Sequence, residues 1–334
     1  MDVTRGYVVT RPFPGSNVGS NLASLAGAVL VAQKLERGLV VDWRGMAQLQ
    51  DKTINYFAEF FANRDTLLGV PVLYAPVAGA EYHRETGAPW LNANEAAAAA
   101  RGDLDLGDRE FVVLEEYHGP DRLLPAADES GRFAHLRRFY REVSPGPELR
   151  AAIDEWADEH IGGRFVVGVN VRTGNGAYFR PGQPYAGRVD LTVLDDGERL
   201  LRVLERAVAK RAAHLPRAVR DTAVTFYATD SEPMSRLLSR LPGSVTRRRT
   251  FPPPDTGDLH AFEGSPGDDH ASVVDTLADM FLLARCDALV YNNSVFNQYA
   301  RVLNAYFGGN QTHIDSLFLK GRLRMLAAAA RRRL

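Results

Sequence analysis

Short runs of apolar, often β-branched residues recur along the chain, and each ends abruptly in polar or glycine-rich residues. Phe165–Val171 has the composition of a strand that is buried on both faces, and it is followed directly by Arg172. Similar runs predict strands at 6–10, 39–43, 70–74, 111–114, 223–229 and 287–291. Apolar residues at helical spacing predict helices at 21–35, 50–61, around Ala96, 133–140, 148–160, 200–214, 234–241, 275–285, 294–306 and 314–331. Such alternation is typical of an α/β protein with parallel sheets.

The length of 334 residues indicates more than one hydrophobic core. The break at Ile161-Gly162-Gly163 suggests a first α/β domain over 1–161 and a second, Rossmann-like domain over 162–311. Residues 312–334 are predicted to form a C-terminal helix that packs back on the first domain. In the first domain, a loop rich in proline, glycine and serine precedes the helix at 21–35, and Ser20 or Asn21 is expected to cap that helix.

Composition excludes several classes of protein. A net charge of −1 gives no general attraction to nucleic acid or to an anionic membrane surface. Cys286 is the single cysteine of the sequence, which excludes an internal disulfide and fits a reducing compartment. Met1–Arg11 lacks the apolar segment of a secretory signal, and no apolar run is long enough to span a membrane. A cytoplasmic protein is therefore expected.

Arg172 is the first candidate for chemistry. It follows a buried strand and precedes Thr173–Gly176, a glycine-bearing turn. In open parallel sheets, ligands bind at the carboxyl ends of strands, where glycine lets the backbone approach an anion. A planar guanidinium that is always charged is suited to a phosphate or diphosphate there. The same segment also fits a surface arginine beside an ordinary turn.

Two further strand ends in the second half carry polar residues, Thr229–Ser231 and Asn292–Ser294. Both stand just before predicted helices. Helix N-termini with capping hydroxyls, together with Arg172, would form a diphosphate site that needs no metal. Capping alone also accounts for either serine taken singly. No D-x-D metal motif stands out, and Asp195-Asp196 is interpreted as part of a polar turn.

Four stretches resemble a known family in order and spacing. They are GLVVDWRG (38–45), VVGVNVRTGNG (166–176), FYATDS (226–231) and LADMFLLARCDALVYNNSVFNQYARVL (277–303). They are similar to the rhizobial nodulation-factor fucosyltransferases and, more distantly, to the eukaryotic α-1,6-fucosyltransferases. The resemblance implies a GT-B-type fold of two facing Rossmann-like domains, the first binding the acceptor and the second the donor. It also implies GDP-fucose as donor, a glycan or glycosylated small molecule as acceptor, inversion at the anomeric carbon, and neither metal nor cofactor.

The resemblance also assigns roles by position. Arg172 matches the arginine that binds the diphosphate and is needed for activity, Asp279 matches an aspartate of base recognition, and Ser294 falls in the segment that reaches the β-phosphate. The other residues that the resemblance places on the donor side are Asn170, Gly174, Asn175, Asp230, Ser231, His260, Asn293 and Val295.

The chain departs from the family at two points. The family has His-Val-Arg where this sequence has Asn170-Val171-Arg172, and an asparagine cannot be protonated. Acidic residues just beyond the glycine turn are absent, so the base for the acceptor hydroxyl is not identified. Candidates by position are Glu115, Glu116 and Asp190. Asn170 favours a glycosyltransferase that uses another nucleotide sugar, and the missing acid favours a nucleotide- or glycan-binding protein without transfer activity.

Overall fold

The computed structural model describes residues 6–12, 18–46, 49, 51–77, 90–114, 119–124, 129–171, 197–247, 251, 269–292, 296–306 and 310–317. The chain divides into two compact units, Met1–Arg150 and Ala151–Leu334. Each unit contains its own sheet with helices. The predicted α/β class with two Rossmann-like units is confirmed.

The first unit is built on a largely parallel sheet. Its described elements are β1 (Tyr7–Thr10), α1 (Val18–Lys34), β2 (Gly38–Val41), α2 (Tyr56–Phe60), β3 (Thr66–Leu67), β4 (Val70–Tyr74), β5 (Trp90–Leu91), α3 (Ala93–Arg101), β6 (Phe111–Leu114), α4 (Pro120–Leu123) and α5 (Glu129–Glu142). The strand order is β3-β4-β2-β1-β6-β5, and β3 pairs antiparallel to β4 while the other pairs are parallel.

Helix α1 begins earlier than the sequence predicted. Ser20 and Asn21 lie inside the helix, so the expectation that either one caps it is wrong. Asn21 is only 1% exposed, and its Nδ2 donates to Met46 Sδ at 3.1 Å. The side chain that resembled a cap is therefore used to hold the helix against the loop after β2.

The helix predicted over 50–61 is also wrong over most of its length, because only Tyr56–Phe60 is helical. Asn55 is the N-cap, and its Oδ1 accepts from the backbone N–H groups of Phe57 at 3.2 Å and Ala58 at 3.4 Å. Its Nδ2 donates to the carbonyls of Val41 at 2.7 Å and Ala75 at 2.8 Å. These long-range bonds fix where the helix starts.

The division between the units falls inside α6 (Pro147–His160), rather than at the predicted Ile161 break. Trp156 of α6 contacts Phe226 edge-on, with 5.4 Å between the ring centroids. Asp154 pairs with Arg285 at 2.5 Å. Both partners belong to the second unit, so most of α6 is part of that unit.

The second unit is built on a parallel sheet. Its described elements after α6 are β7 (Val166–Val171), α7 (Gly197–Ala212), α8 (Arg217–Arg220), β8 (Val224–Thr229), α9 (Glu232–Leu238), β9 (Ser244–Val245), α10 (Asp269–Arg285), β10 (Ala288–Tyr291), α11 (Phe296–Tyr306) and β11 (Asn310–His313). The strand order is β11-β10-β7-β8-β9, and every residue of β7, at the centre, is buried. One face of the sheet packs its valines against leucines of α7 and α9.

The polar strand β11 was not predicted, and it pairs in parallel with β10. It is followed by a 3₁₀ turn at Ile314–Leu317, where the sequence predicted the start of an α-helix. Ile314 is 2% exposed and packs in the core formed by β7 and α7. The remainder of the predicted C-terminal helix, at 318–334, lies outside the described residues.

Candidate functional site

The carboxyl ends of three neighbouring strands of the second unit meet at one edge of its sheet. β7 lies between β8 and β10, and both pairs are parallel. Val171 is opposite Thr229 in the register, and Asn170 is opposite Tyr291. The residues that follow these strands therefore leave from the same edge, as the sequence predicted. In parallel sheets this is the edge that binds ligands.

Asn170 is a buried polar residue near this edge, with 2% of its surface exposed. It alternates with Val169 and Val171, which face the core beneath α7. Its Nδ2 donates to the carbonyl of Ala228 at 3.2 Å. Its Oδ1 is buried and accepts no hydrogen bond from the described residues. A buried acceptor of this kind can receive a hydrogen bond from a ligand.

The point at which the chain leaves β7 is held by a side chain of β8. Thr229 is 3% exposed, and its Oγ1 donates to the carbonyl of Val171 at 2.7 Å. Val171 is the residue before Arg172 in the sequence. This bond adds to the backbone ladder and fixes the carbonyl of Val171, the last residue of β7.

Asp230 and Ser231 follow β8 and are 1% and 3% exposed. Ser231 is the N-cap of α9, and its Oγ accepts from the backbone N–H of Met234 at 3.5 Å. The predicted capping role of Ser231 is thus confirmed, although the helix begins at Glu232 rather than at Met234. Any contact of Asp230 or Ser231 with a ligand stays a prediction.

Helix α10 brings acidic residues to the same unit. Asp279, predicted to recognise a base, is 4% exposed. Asp275 lies one turn earlier on the helix, and its Oδ1 is 3.5 Å from Nη1 of Arg247. Arg247 was not singled out from the sequence, because it follows β9, a strand of only two residues that the hydrophobic pattern does not reveal.

A buried hydrogen bond joins the residue after β10 to the first turn of α11. Asn297, in the first turn of α11, donates from Nδ2 to the carbonyl of Asn292 at 2.8 Å. The two residues are 2% and 3% exposed. The backbone N–H of Asn292 donates to the carbonyl of Asn170 at 3.3 Å. Asn297 was also missed from the sequence, where it resembled an ordinary polar position of the helix.

Several residues predicted for the site lie outside the described residues, and their roles stay predictions. They are Arg172, Gly174, Asn175, His260, Asn293, Ser294 and Val295, together with the candidate bases Glu115, Glu116 and Asp190.

A second charged cluster lies at the carboxyl edge of the first unit's sheet. Asp42 follows β2, and its side chain is 1% exposed. Arg44 donates to both of its carboxylate oxygens, from Nε at 2.7 Å and from Nη2 at 3.0 Å. Arg11 follows β1, and its Nε is 3.5 Å from Asp42 Oδ2. Its guanidinium lies over the ring of Trp90, 5.7 Å from the centroid. The buried carboxylate of Asp42, in the DWRG motif, therefore orients both Arg11 and Arg44.

Within the part of the chain that the structure describes, no group of three or more His, Cys, Asp or Glu side chains could hold a metal ion. The prediction that the reaction needs neither metal nor cofactor stays a prediction.

None of the described helices is long and apolar enough to cross a membrane. Burial keeps the pKa of the Cys286 thiol above its ordinary value.

Comparisons with known proteins place the chain in a family. Nodulation protein Z of Sinorhizobium fredii is 28% identical over 312 residues, which cover 89% of this chain and 90% of the relative. Nodulation protein Z of Bradyrhizobium diazoefficiens is 29% identical over 314 residues, 89% of this chain and 78% of the relative. The crystal structure of NodZ alpha-1,6-fucosyltransferase soaked with GDP-fucose has the same fold, with a TM-score of 0.57, 22% identity, and coverage of 90% and 92% of the two chains.

The family match includes the edge described above. The model of the family Nodulation protein Z (NodZ) matches residues 130–307, more than half of the chain, from α5 through the end of α11. The chain belongs to the NodZ family.

Proposed function

We propose that the chain is a metal-independent, inverting fucosyltransferase that transfers fucose from GDP-fucose to a hydroxyl of a glycan or of a glycosylated small molecule. The observation that carries the proposal is the match to NodZ, a relative of which was soaked with GDP-fucose. The matched residues include the strand ends of β7, β8 and β10. The expectation of a cytoplasmic enzyme belongs to the same proposal.

The proposed reaction requires the site to stabilise a leaving group. In an inverting transfer the acceptor oxygen bonds to the anomeric carbon from the face opposite the diphosphate. The bond from that carbon to the diphosphate oxygen breaks, and the hydroxyl proton passes to a base. Negative charge grows on the diphosphate as the bond breaks, so a fixed guanidinium near it lowers the barrier.

Arg172 is the residue that we propose for this task. It follows Val171, whose carbonyl is held by Thr229 at 2.7 Å. Asn170, one residue before Val171, offers a buried acceptor, which fits a hydroxyl or N–H group of the donor. Asp279 is proposed to accept hydrogen bonds from the base of the nucleotide. These roles come to this chain by position in the family.

The first experiment is calorimetric titration with GDP, UDP and ADP in the presence of a chelator. The proposal expects selective binding of GDP, followed by cleavage of GDP-fucose when an acceptor is supplied. Preference for UDP would keep the fold but overturn the fucosyl donor. Binding of GDP without any cleavage of the donor would instead support the non-catalytic alternative.

Arg172→Ala is expected to abolish turnover while the far-UV circular dichroism and the urea unfolding midpoint stay as in the wild type. Removing a fixed donor to a developing oxyanion costs on the order of a hundredfold or more in rate. Arg164→Ala is the matched control, because Arg164 is exposed just before the amino end of the same strand. Turnover retained by Arg172→Ala would refute the diphosphate role.

A further inference from the structure

Arg247 lies at the carboxyl edge of the second unit's sheet, next to β8. It follows Thr246, whose Oγ1 donates to the carbonyl of Tyr227 at 2.9 Å. Tyr227 belongs to β8, two residues before its end at Thr229. This bond fixes the chain after β9 to its neighbour, so the backbone of Arg247 is held close to the edge from which Asp230 emerges.

The guanidinium of Arg247 is mostly buried, with 15% of the side chain exposed. Its Nη1 is fully buried and donates no hydrogen bond to any described residue. Asp275 Oδ1 is 3.5 Å away, an ion pair longer than an ordinary hydrogen bond. A buried donor that stays unused is unfavourable, and a ligand acceptor would remove that cost.

The partner of Arg247 connects it to the residue proposed to recognise the base. Asp275 and Asp279 are four residues apart on α10, so they lie on one face of the helix with a rise of about 6 Å between them. Asp279 is 4% exposed. The carboxylate that pairs with Arg247 thus stands one helical turn from the buried Asp279.

We propose that Arg247 donates hydrogen bonds to O6 and N7 of guanine, while Asp279 accepts from the N1–H and the 2-amino group of the same base. Guanine is the base that offers two acceptors on one edge and donors on the next, and arginine matches O6 and N7 with two donors. Adenine carries an amino group where guanine has O6, so it would meet Arg247 donor against donor. This inference rests on the proposed function and makes Arg247 a specificity-determining residue of the donor site.

The test is calorimetric binding of GDP, guanosine and ADP to the full-length chain and three variants. Arg247→Ala removes both donors, and Arg247→Lys keeps the charge but loses the planar fork. Arg236→Ala is the control, because Arg236 is an exposed arginine of α9 that pairs with Glu232 on the same helix at 2.6 Å. Wild type and Arg236→Ala are expected to bind alike and to prefer GDP over ADP.

Arg247→Ala is expected to weaken the binding of GDP and of guanosine by the same factor, on the order of tenfold to a hundredfold, and to lower the preference for GDP over ADP. The part of that preference that comes from Asp279 is expected to stay. Arg247→Lys is expected to fold like the wild type and to show a smaller part of the same loss. Loss of GDP binding with guanosine unchanged would assign Arg247 to the diphosphate and overturn the proposal. Unchanged affinities for all three ligands would also overturn it.

The two proposals fail in different ways. If the wild type does not bind GDP, the proposed function itself is refuted. If the wild type binds GDP selectively and Arg247→Ala does so equally well, only the assignment of Arg247 is refuted.

Discussion

Gly168 lies in the middle of β7, where the backbone passes close to Cys286, the residue that follows α10. A Cβ at this position would stand 2.8 Å from Cys286 Sγ and 2.9 Å from Leu289 Cδ2. Cys286 is 3% exposed, and its Sγ donates a hydrogen bond to the carbonyl of Leu282 at 3.3 Å, so the side chain has little room to move. The change Gly168→Ala therefore forces the central strand away from its neighbours.

Overpacking of this kind costs about 1–3 kcal/mol, and we expect about 2 kcal/mol because both close atoms are side-chain atoms in a packed core. With a urea dependence of about 2 kcal/mol per molar, the unfolding midpoint should fall by about 1 M. The assay is urea unfolding followed by circular dichroism and by tryptophan fluorescence.

Cys286→Ala provides the internal control, because it removes the Sγ that the new Cβ would meet. The double variant is expected to be more stable than the sum of the two single effects predicts. A midpoint for Gly168→Ala equal to that of the wild type would refute the reasoning. Strict additivity in the double variant would show that Cys286 is not the obstacle.

Two further predictions concern the first unit. Asn55→Ala removes the N-cap of α2 and the donor to the carbonyls of Val41 and Ala75. The free energy of unfolding, measured by urea unfolding, should therefore fall by about 2–4 kcal/mol. A decrease below about 0.5 kcal/mol would contradict this. Burial lowers the pKa of His135, whose Nε2 contacts the carbonyl of Ala26 at 2.7 Å, so the unfolded chain binds a proton that the native chain resists. Stability should therefore decrease as pH falls below about 6.5, and His135→Gln should lose that part of the pH dependence; parallel profiles for the two proteins would refute it.

The interior strands of both sheets could be predicted from the sequence. β7 and β8 are covered on both faces, so their sequences are apolar runs, and the polar residues that follow mark their carboxyl ends. The alternation of strands and helices then predicts parallel pairing, which brings those ends to one edge. For the same reason the sequence identified Asp230 and Ser231 as residues of this edge, whereas Asn170 was identified through the family resemblance.

Edge strands and cap residues were harder to predict from the sequence, because the residues that determine them are far apart in the chain. β9 has only two residues and β11 is polar, and both are strands because each pairs with a buried neighbour. Asn55 begins a helix because it also bonds to the chain at Val41 and Ala75. No local pattern carries that information.

The buried strands and the polar residues that follow them can be predicted from the sequence alone, since burial on both faces requires a continuous apolar run. Which charged side chains meet depends on the tertiary structure. Asp42 lies between Arg11 and Arg44, and Arg247 pairs with Asp275, because the pairing order of the strands and the packing of the helices bring these residues together. Contacts between residues distant in sequence arise when the sheets assemble, and they leave no periodic pattern along the chain.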